Sequence, residues 1–258
     1  MERYGSEVII EVGDVIKPEK VEMYKAELNV ILEQLIVIAN NLIVMERLFT
    51  FPYHLFVPEF ERTFWELTKR AYYSSTIVAF GSILLQGETK DGNHPITLRR
   101  FKNKVIEQTR EYQREEISPE ISEVFEQRKD GIKPLARKLE LFEKQIEAIR
   151  NQHIAHLDIR KATAPDKVVP TALPLTVFRE ALELLDAIFR VLGFEVYYQL
   201  KVWDYTNPER KLDIDYILED VVKRSYWFSD DPLIDFEHER SLLSDADKAI
   251  LDEWVNRL

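Results

Sequence analysis

The chain of 258 residues contains no cysteine, which excludes disulfides, thiol nucleophiles and thiolate metal sites. Glycine is scarce, at 7 residues, while charged residues make up 31% of the chain. This balance favours long helices over a fold rich in turns. The absence of cysteine fits a reducing compartment, and we expect a cytoplasmic protein. We expect no signal peptide, because the opening residues MERYGSEVII lack the basic and then apolar order of one.

The sequence also lacks an uninterrupted apolar run long enough to span a membrane. In its most apolar stretch, Val30 to Met45, polar residues intervene at Glu33, Gln34, Asn40 and Asn41. A membrane-spanning helix needs about 20 predominantly apolar residues. We therefore predict a buried helix here and no membrane association.

A general excess of positive charge is missing as well, since the formal net charge is −11. Binding of nucleic acid over the whole surface is disfavoured, because phosphate contacts need local positive charge. The charge is uneven, however. Residues 97–161 hold 15 Lys and Arg against 12 Asp and Glu, whereas residues 204–258 hold 7 against 15. The first segment is locally positive and the second is strongly acidic.

The densest basic cluster follows Thr97, which we predict to be a helix N-cap. Its members are Arg99, Arg100, Lys102 and Lys104. A solvated helix face is the ordinary interpretation, and a surface that contacts a phosphate backbone is the alternative. Lys161, in a proline-rich connector that would serve as a lid or a substrate contact, is a further candidate for substrate binding.

Apolar periodicity predicts an all-α bundle of long antiparallel helices, with its main part in residues 1–200. An acidic helical extension, 201–258, is expected to pack on or beside it. In the second long helix we expect the inner side to carry Phe60, Phe64, Leu67, Ala71 and Val78. We place Pro134 in the first turn of the third helix, after a turn at Asp130-Gly131. The predicted long helices are Glu19–Phe49, Glu59–Leu85, Pro134–His156 and Thr176–Gln199. Ser244 is expected to cap a short last helix. The apolar face of the fourth long helix is expected to carry Phe178, Leu182, Leu185, Phe189, Leu192 and Val196.

The third helix carries an unusual stripe. Its apolar residues recur in steps of 4, 3, 4 and 3, and the same steps continue to His153 and His156, close to Arg150 and Asn151. A packed face that becomes polar only in its last turns suggests a functional site. The ordinary alternatives are satisfied core histidines or an exposed helix end. A metal site would need more than an HxxH pair without a third ligand. The apolar members of the stripe are Leu135, Leu139, Phe142, Ile146 and Ile149.

The string RNQHIAHLD, which begins at Arg150, resembles the signature of HEPN domains, an Arg followed by a polar residue, a short spacer and a His. It is most similar to the HEPN branch of abortive-infection proteins of the AbiU type. The resemblance covers roughly Val21 to Leu200 and implies an HEPN-like helical bundle.

The resemblance also implies a function, that of a metal-independent endoribonuclease without a cofactor that acts as a homodimer. The motifs of the two chains would meet in one cleft. Arg150 would bind the scissile phosphate of an RNA substrate, His156 would act as acid or base, and Asn151 would orient either group. His153 has no settled family role and would be a helper or a core residue. Such proteins serve as toxins or anti-phage effectors, sometimes under an antitoxin or regulatory protein.

One departure from the family pattern concerns that control. Some HEPN toxins carry a modifiable Tyr two residues after the His, and this chain has Asp158 there. Control by modification of that Tyr is therefore in doubt.

The residues themselves point to acid–base chemistry. No glycine-rich phosphate loop, no GxSxG motif and no acidic pair suited to two metals is present at a convincing position. Cleavage through the ribose 2′-hydroxyl suits a His and Arg pair, because the substrate supplies the nucleophile. Two alternatives stay open. One is a non-catalytic dimerisation, nucleotide-binding or protein-binding module, and the other is a helical scaffold with an accidental motif.

Overall fold

The computed structural model describes residues 10–85, 96–106, 110–150, 173–193, 211–225, 227 and 235–257. These residues form helices and no strand, apart from an isolated antiparallel bridge between Ile16 and Gln113. The predicted all-α class is therefore confirmed. The helices are α1 Val12–Val15, α2 Val21–Thr50, α3 Tyr53–Phe56, α4 Arg62–Leu84, α5 Leu98–Ile106, α6 Pro119–Ile149, α7 Leu175–Gly193, α8 Asp213–Lys223, α9 Phe236–Leu242 and α10 Asp245–Arg257.

The chain divides into two compact units. The first comprises Met1–Leu42 and Ser74–Thr206, and the second comprises Ile43–Tyr73 and Asn207–Leu258. The C-terminal region thus shares a unit with a segment near the N-terminus. The predicted boundary at residue 200 stays a prediction.

In the first unit, α2 and α4 run antiparallel. Asn41 of α2 donates a hydrogen bond to the Ser75 hydroxyl at 3.1 Å, and the Ser82 hydroxyl donates to Gln34 at 3.3 Å. From the first contact to the second, the residue number falls from 41 to 34 in α2 and rises from 75 to 82 in α4. The two helices therefore run in opposite directions. At the start of α2, the Tyr24 hydroxyl donates to the carbonyl oxygen of Leu192 in α7.

The core of this unit contains three phenylalanines from three helices. The ring of Phe80 in α4 lies 4.9 Å from that of Phe142 in α6 and 5.7 Å from that of Phe178 in α7, between ring centroids. All three side chains are buried. Such offset and edge-to-face pairs add to the free energy of burial. The cluster therefore fixes α4, α6 and α7 against one another.

The third long helix begins earlier than the sequence predicts. Residues Pro119–Ile149 form one helix, so the predicted turn at Asp130-Gly131 and the first-turn position of Pro134 are both wrong. The buried stripe explains the continuity, because Phe125 and Ile132 extend the repeat that begins again at Leu139. Pro134 removes one helical hydrogen bond. Its cost is moderated because Asp130, whose carbonyl loses that partner, is exposed to water.

The predicted inner side of α4 is also wrong. Phe60, in the short 3₁₀ turn Glu59–Glu61 before the helix, is 81% exposed, and Phe64 and Leu67 are 63% and 59% exposed. Ala71 and Val78 are exposed as well. Helix α4 has apolar residues on two sides, and the side that was not predicted is the one that packs into the core. Its buried large side chains are Trp65, Ile77, Phe80, Ile83 and Leu84.

Helix α7 agrees with its predicted face. Its apolar residues at the predicted positions from Phe178 to Leu192 are buried. The predicted continuation to Gln199 lies outside the described residues. In α6, four of the five predicted seam residues are buried, from Leu139 to Ile149, and Leu135 is half-buried.

The second unit has its own aromatic core. The indole nitrogen of Trp227 donates to the carbonyl oxygen of Leu55 at 2.8 Å. The ring of Trp254, in α10, lies 5.1 Å from that of Phe51. Two polar contacts join the same segments: Arg47 with Asp215 at 2.8 Å, and His54 with Asp247 at 2.9 Å. The buried residues of this core are Leu48, Phe51, Tyr53, Leu55, Phe56, Val57, Trp65, Leu218, Val222 and Leu251.

The apolar stretch in α2 is a core helix by its burial. Among the described residues, the helical segment Pro18–Thr50 is the one long and apolar enough to cross a membrane by length and composition. Core helices of soluble proteins pass the same test. Leu28, Leu35, Ile38 and Ala39 are fully buried, as predicted for a buried helix, and the fold is compatible with a soluble protein.

Candidate functional site

Arg150 lies at the C-terminal end of α6, and the helix fixes its backbone. Its amide donates to the carbonyl oxygens of Ile146 and Glu147, with φ −57° and ψ −47°. Ile146 and Ile149 beside it are almost completely buried. The residue itself is exposed. An exposed arginine is thus anchored at the end of a packed helix.

The side chain of Arg150 lies against α4 at Gly81. A β-carbon placed on Gly81 would be 3.4 Å from Arg150 Cδ and 3.9 Å from Arg150 Nη1. Long charged side chains commonly rest their methylenes on a protein surface while the charged group stays in water. Among the residues that the structure describes, Arg150 forms no ion pair. No described carboxylate therefore neutralises its guanidinium.

The cluster of Phe80, Phe142 and Phe178 fixes the two helices that carry Gly81 and Arg150. Phe142 precedes Arg150 by about two helical turns, and Phe80 precedes Gly81 directly along α4. The aromatic contact and the contact between Arg150 and Gly81 thus join the same two helices. Movement of either helix would move the guanidinium.

Asn151, His153 and His156 lie outside the described residues, as do Lys161 and the departure at Asp158. The predicted roles of these residues stay predictions. Of the catalytic candidates, Arg150 is the one that lies within the described residues.

The basic cluster on α5 is not one surface. Thr97 caps the helix as predicted, accepting from the amide of Arg100 at 3.2 Å. Arg99 pairs with Glu143 of α6 at 3.7 Å. Arg100 and Lys102 are half-buried, and Lys104 is drawn inward.

Lys104 belongs to a buried polar cluster with Glu27 and Tyr112. It forms an ion pair with Glu27, and the two side chains are only 12% and 14% exposed. The Tyr112 hydroxyl donates to Glu27 at 2.8 Å. Burial, then the hydrogen bond and charge of Glu27, raise the pKa of Tyr112 above its usual range. Lys104 therefore neutralises an internal carboxylate and is held away from an RNA ligand.

Glu143 is a titratable group that the sequence analysis did not single out. Burial raises the pKa of its carboxyl group, as do Glu140 and Glu147 nearby, while Arg99 opposes the shift. The spacing of Glu140, Glu143 and Glu147 along one helix was the sequence signal for this group.

Gly81 was also missed in the sequence, although a glycine inside an apolar helical segment indicates a close packing contact.

Comparison with known families gives a match over most of the chain. The family model described as AbiU2, a HEPN family, matches residues 33–216, which is well over half of the chain. The matched range includes Gly81, the α6 seam and Arg150. No significant match was found among curated proteins. None was found among solved structures.

Proposed function

The chain belongs to the AbiU2 family of HEPN domains, which is related to abortive infection, and from that premise we propose that it is a metal-independent endoribonuclease. It would act in the cytoplasm, without a cofactor, as a toxin or an anti-phage effector. Its substrate would be RNA, cleaved by attack of a ribose 2′-hydroxyl on the adjacent phosphate.

The chemistry is divided among the motif residues. His156 takes the 2′-hydroxyl proton or protonates the leaving 5′-oxygen, since imidazole titrates near neutral pH. The Arg150 guanidinium binds the phosphate oxygens as negative charge builds in the transition state. Asn151 orients the phosphate or the histidine, and His153 has a helper role or none. The products are a 2′,3′-cyclic phosphate and a 5′-hydroxyl.

The observation that carries this proposal is the placement of Arg150. Its backbone is fixed by α6, its stem lies against α4, and its guanidinium is exposed without an ion pair to any described residue. A catalytic arginine needs this combination, because a charged group stabilises a transition state best when it is already oriented. Lys104 lacks this freedom because Glu27 holds it, and the charge of Arg99 is partly balanced by Glu143 at 3.7 Å.

We further propose that two copies associate, with Arg150 and His156 of each facing a shared cleft. The family resemblance motivates this arrangement. Light scattering across micromolar concentrations should give the mass of a dimer. A monomer at all concentrations would contradict it.

The central experiment is cleavage of RNA by purified protein in EDTA. Arg150→Ala should lower the rate by roughly 10²–10³-fold and His156→Ala by roughly 10²–10⁴-fold, with the fold retained. His153→Ala should cost less than His156→Ala. Arg137→Ala is a matched control, because Arg137 is an exposed arginine on the same helix, and its rate should stay unchanged.

Three results would contradict the proposal. Inhibition by the chelator would indicate a metal held by His153 and His156. Equal losses in Arg137→Ala and Arg150→Ala would indicate a general charge effect. Activity in the Arg150→Ala, His156→Ala double variant would place the site elsewhere or reveal a contaminating nuclease.

A second candidate is a non-catalytic module that binds a protein or a nucleotide. The net charge of −11 and the acidic region 204–258 favour a protein partner over RNA for most of the surface. An antitoxin or regulatory protein is the partner expected in that case. Absence of cleavage, together with capture of such a protein that is independent of Arg150 and His156, would support this candidate.

A further inference from the structure

Gly81 lies in an unusual place for a glycine. It is buried in the last turn of α4, three residues before the helix ends at Leu84, and within a helix glycine is the least favourable residue after proline. Its φ is not in the left-handed region, so the backbone conformation does not require glycine. The reason for a glycine must therefore be the space beside it.

That space is filled by the stem of Arg150. A β-carbon on Gly81 would lie 3.4 Å from Arg150 Cδ and 3.6 Å from Leu85 Cδ1. Both are ordinary contact distances, so a single methyl group fits. A β-branched side chain would extend one carbon further, into the volume of the Arg150 methylenes. The contact accommodates alanine, whereas valine would displace the arginine stem.

We propose that Gly81 is a positioning residue for Arg150. Gly81 in the last turn of α4 and Leu85, the residue after the helix, border the space beside the arginine stem, and this shelf sets the position of the guanidinium. The inference rests on the proposed ribonuclease function, in which Arg150 binds the scissile phosphate. It acts through Arg150 alone, since Gly81 has no side chain that could contact the substrate.

A displaced guanidinium should affect catalysis more than substrate affinity. Misplacement of a catalytic group by about 1 Å can lower a rate by roughly 100-fold. Gly81→Val should therefore lower kcat by roughly 10- to 100-fold, with a smaller change in KM, because the phosphate charge to be stabilised is largest in the transition state. Gly81→Ala should keep kcat within about twofold of the wild type, because a methyl group fits.

The chain offers a matched control. Gly131 also lies inside a helix, α6, and a β-carbon placed there would have nothing within 4 Å. Gly131→Val makes the same substitution inside a helix without a steric conflict. It should keep wild-type kcat, and an equal loss in Gly131→Val and Gly81→Val would overturn the proposal.

A double variant separates positioning from general damage to the fold. In an Arg150→Ala background, Gly81→Val should cause no further loss of kcat, because the group that it displaces is gone. A structural defect would instead multiply the two losses. If Gly81→Val does not fold, Leu85→Ala tests the same shelf without added atoms. It should lower kcat in the wild type and leave kcat unchanged in Arg150→Ala.

A readout without activity keeps this proposal distinct from the ribonuclease proposal. Gly81→Val should lower the urea midpoint of unfolding, and Arg150→Ala should restore part of that loss, whereas Gly131→Val should show no such coupling. Coupling without RNA cleavage by the wild type would leave the shelf intact and refute the proposed function. Cleavage that depends on Arg150 without coupling would refute the shelf.

Discussion

Removal of the Glu27 carboxylate should destabilise the protein, because one buried and one largely buried donor depend on it. Lys104 and Glu27 are 12% and 14% exposed, and the Tyr112 hydroxyl that donates to Glu27 is fully buried. Loss of one partner of a buried ion pair costs about 3–5 kcal/mol, because the other charge is left without compensation. With an m-value of about 3 kcal/mol per molar, the urea midpoint should fall by about 1–1.7 M.

The variants can separate charge from hydrogen bonding. Glu27→Ala should show the full loss. The double variant Glu27→Leu, Lys104→Met removes both charges and should recover much of it. The Tyr112 hydroxyl then still lacks its acceptor, at a cost of about 1–3 kcal/mol. Adding Tyr112→Phe should bring stability close to that of the wild type.

An exposed pair on the same helix supplies the control. Lys25 and Glu22 lie 3.3 Å apart and are 41% and 90% exposed, so Lys25→Met should cost less than about 1 kcal/mol. Unfolding in urea, followed by circular dichroism, measures all variants. Similar small losses in Glu27→Ala and Lys25→Met would refute the reasoning. So would a loss of RNA affinity in folded Lys104→Met, since it would return Lys104 to the substrate surface.

Three other outcomes test the described structure. Phe80→Ala should cost about 3–5 kcal/mol, whereas Phe64→Ala, on the exposed face of α4, should change stability by about 0.5 kcal/mol or less; urea unfolding that ranks them in the reverse order would show that the helix face is misassigned. Gly131→Ala should stabilise the protein by up to about 1 kcal/mol, measured by thermal unfolding, because helix propensity improves and the added methyl meets nothing. Burial raises the pKa of the Glu143 carboxyl group. The stability that its protonated form contributes is therefore present below the ordinary glutamate pKa of about 4.3. That stability is lost as the pH rises through the raised pKa. The free energy of unfolding of Glu143→Gln, relative to that of the wild type, should therefore increase as the pH rises from 4 to 7. A difference in unfolding free energy that stays constant across that range would count against the raised pKa.

Local signals in the sequence predicted the features that depend on one helix at a time. The face of α7 and the seam of α6 follow from spacing because each helix has one continuous buried stripe. Thr97, Ser118 and Ser244 cap helices, as predicted for Thr97 and Ser244, because a side-chain oxygen near a free amide needs no distant partner.

Features that depend on distant partners were missed. Periodicity gave one apolar side of α4, but periodicity does not say which side meets the core, and the predicted side is exposed. Gly131 and Pro134 favour a break, yet burial on both sides of them keeps α6 continuous. The role of Lys104 depends on Glu27, 77 residues away in the chain, and no local charge pattern reveals that pairing.

The distribution of free and paired charge helps to distinguish the two candidate functions. A module that binds RNA through its surface needs many available cations, because each phosphate contact contributes to affinity and to its dependence on salt. In this chain Arg99 and Lys104 are held by carboxylates, and the C-terminal region is acidic. A ribonuclease needs fewer cations, since one oriented guanidinium at the scissile phosphate stabilises the transition state. The exposed Arg150 on its α4 shelf meets that requirement, so weak overall affinity for RNA is consistent with catalysis.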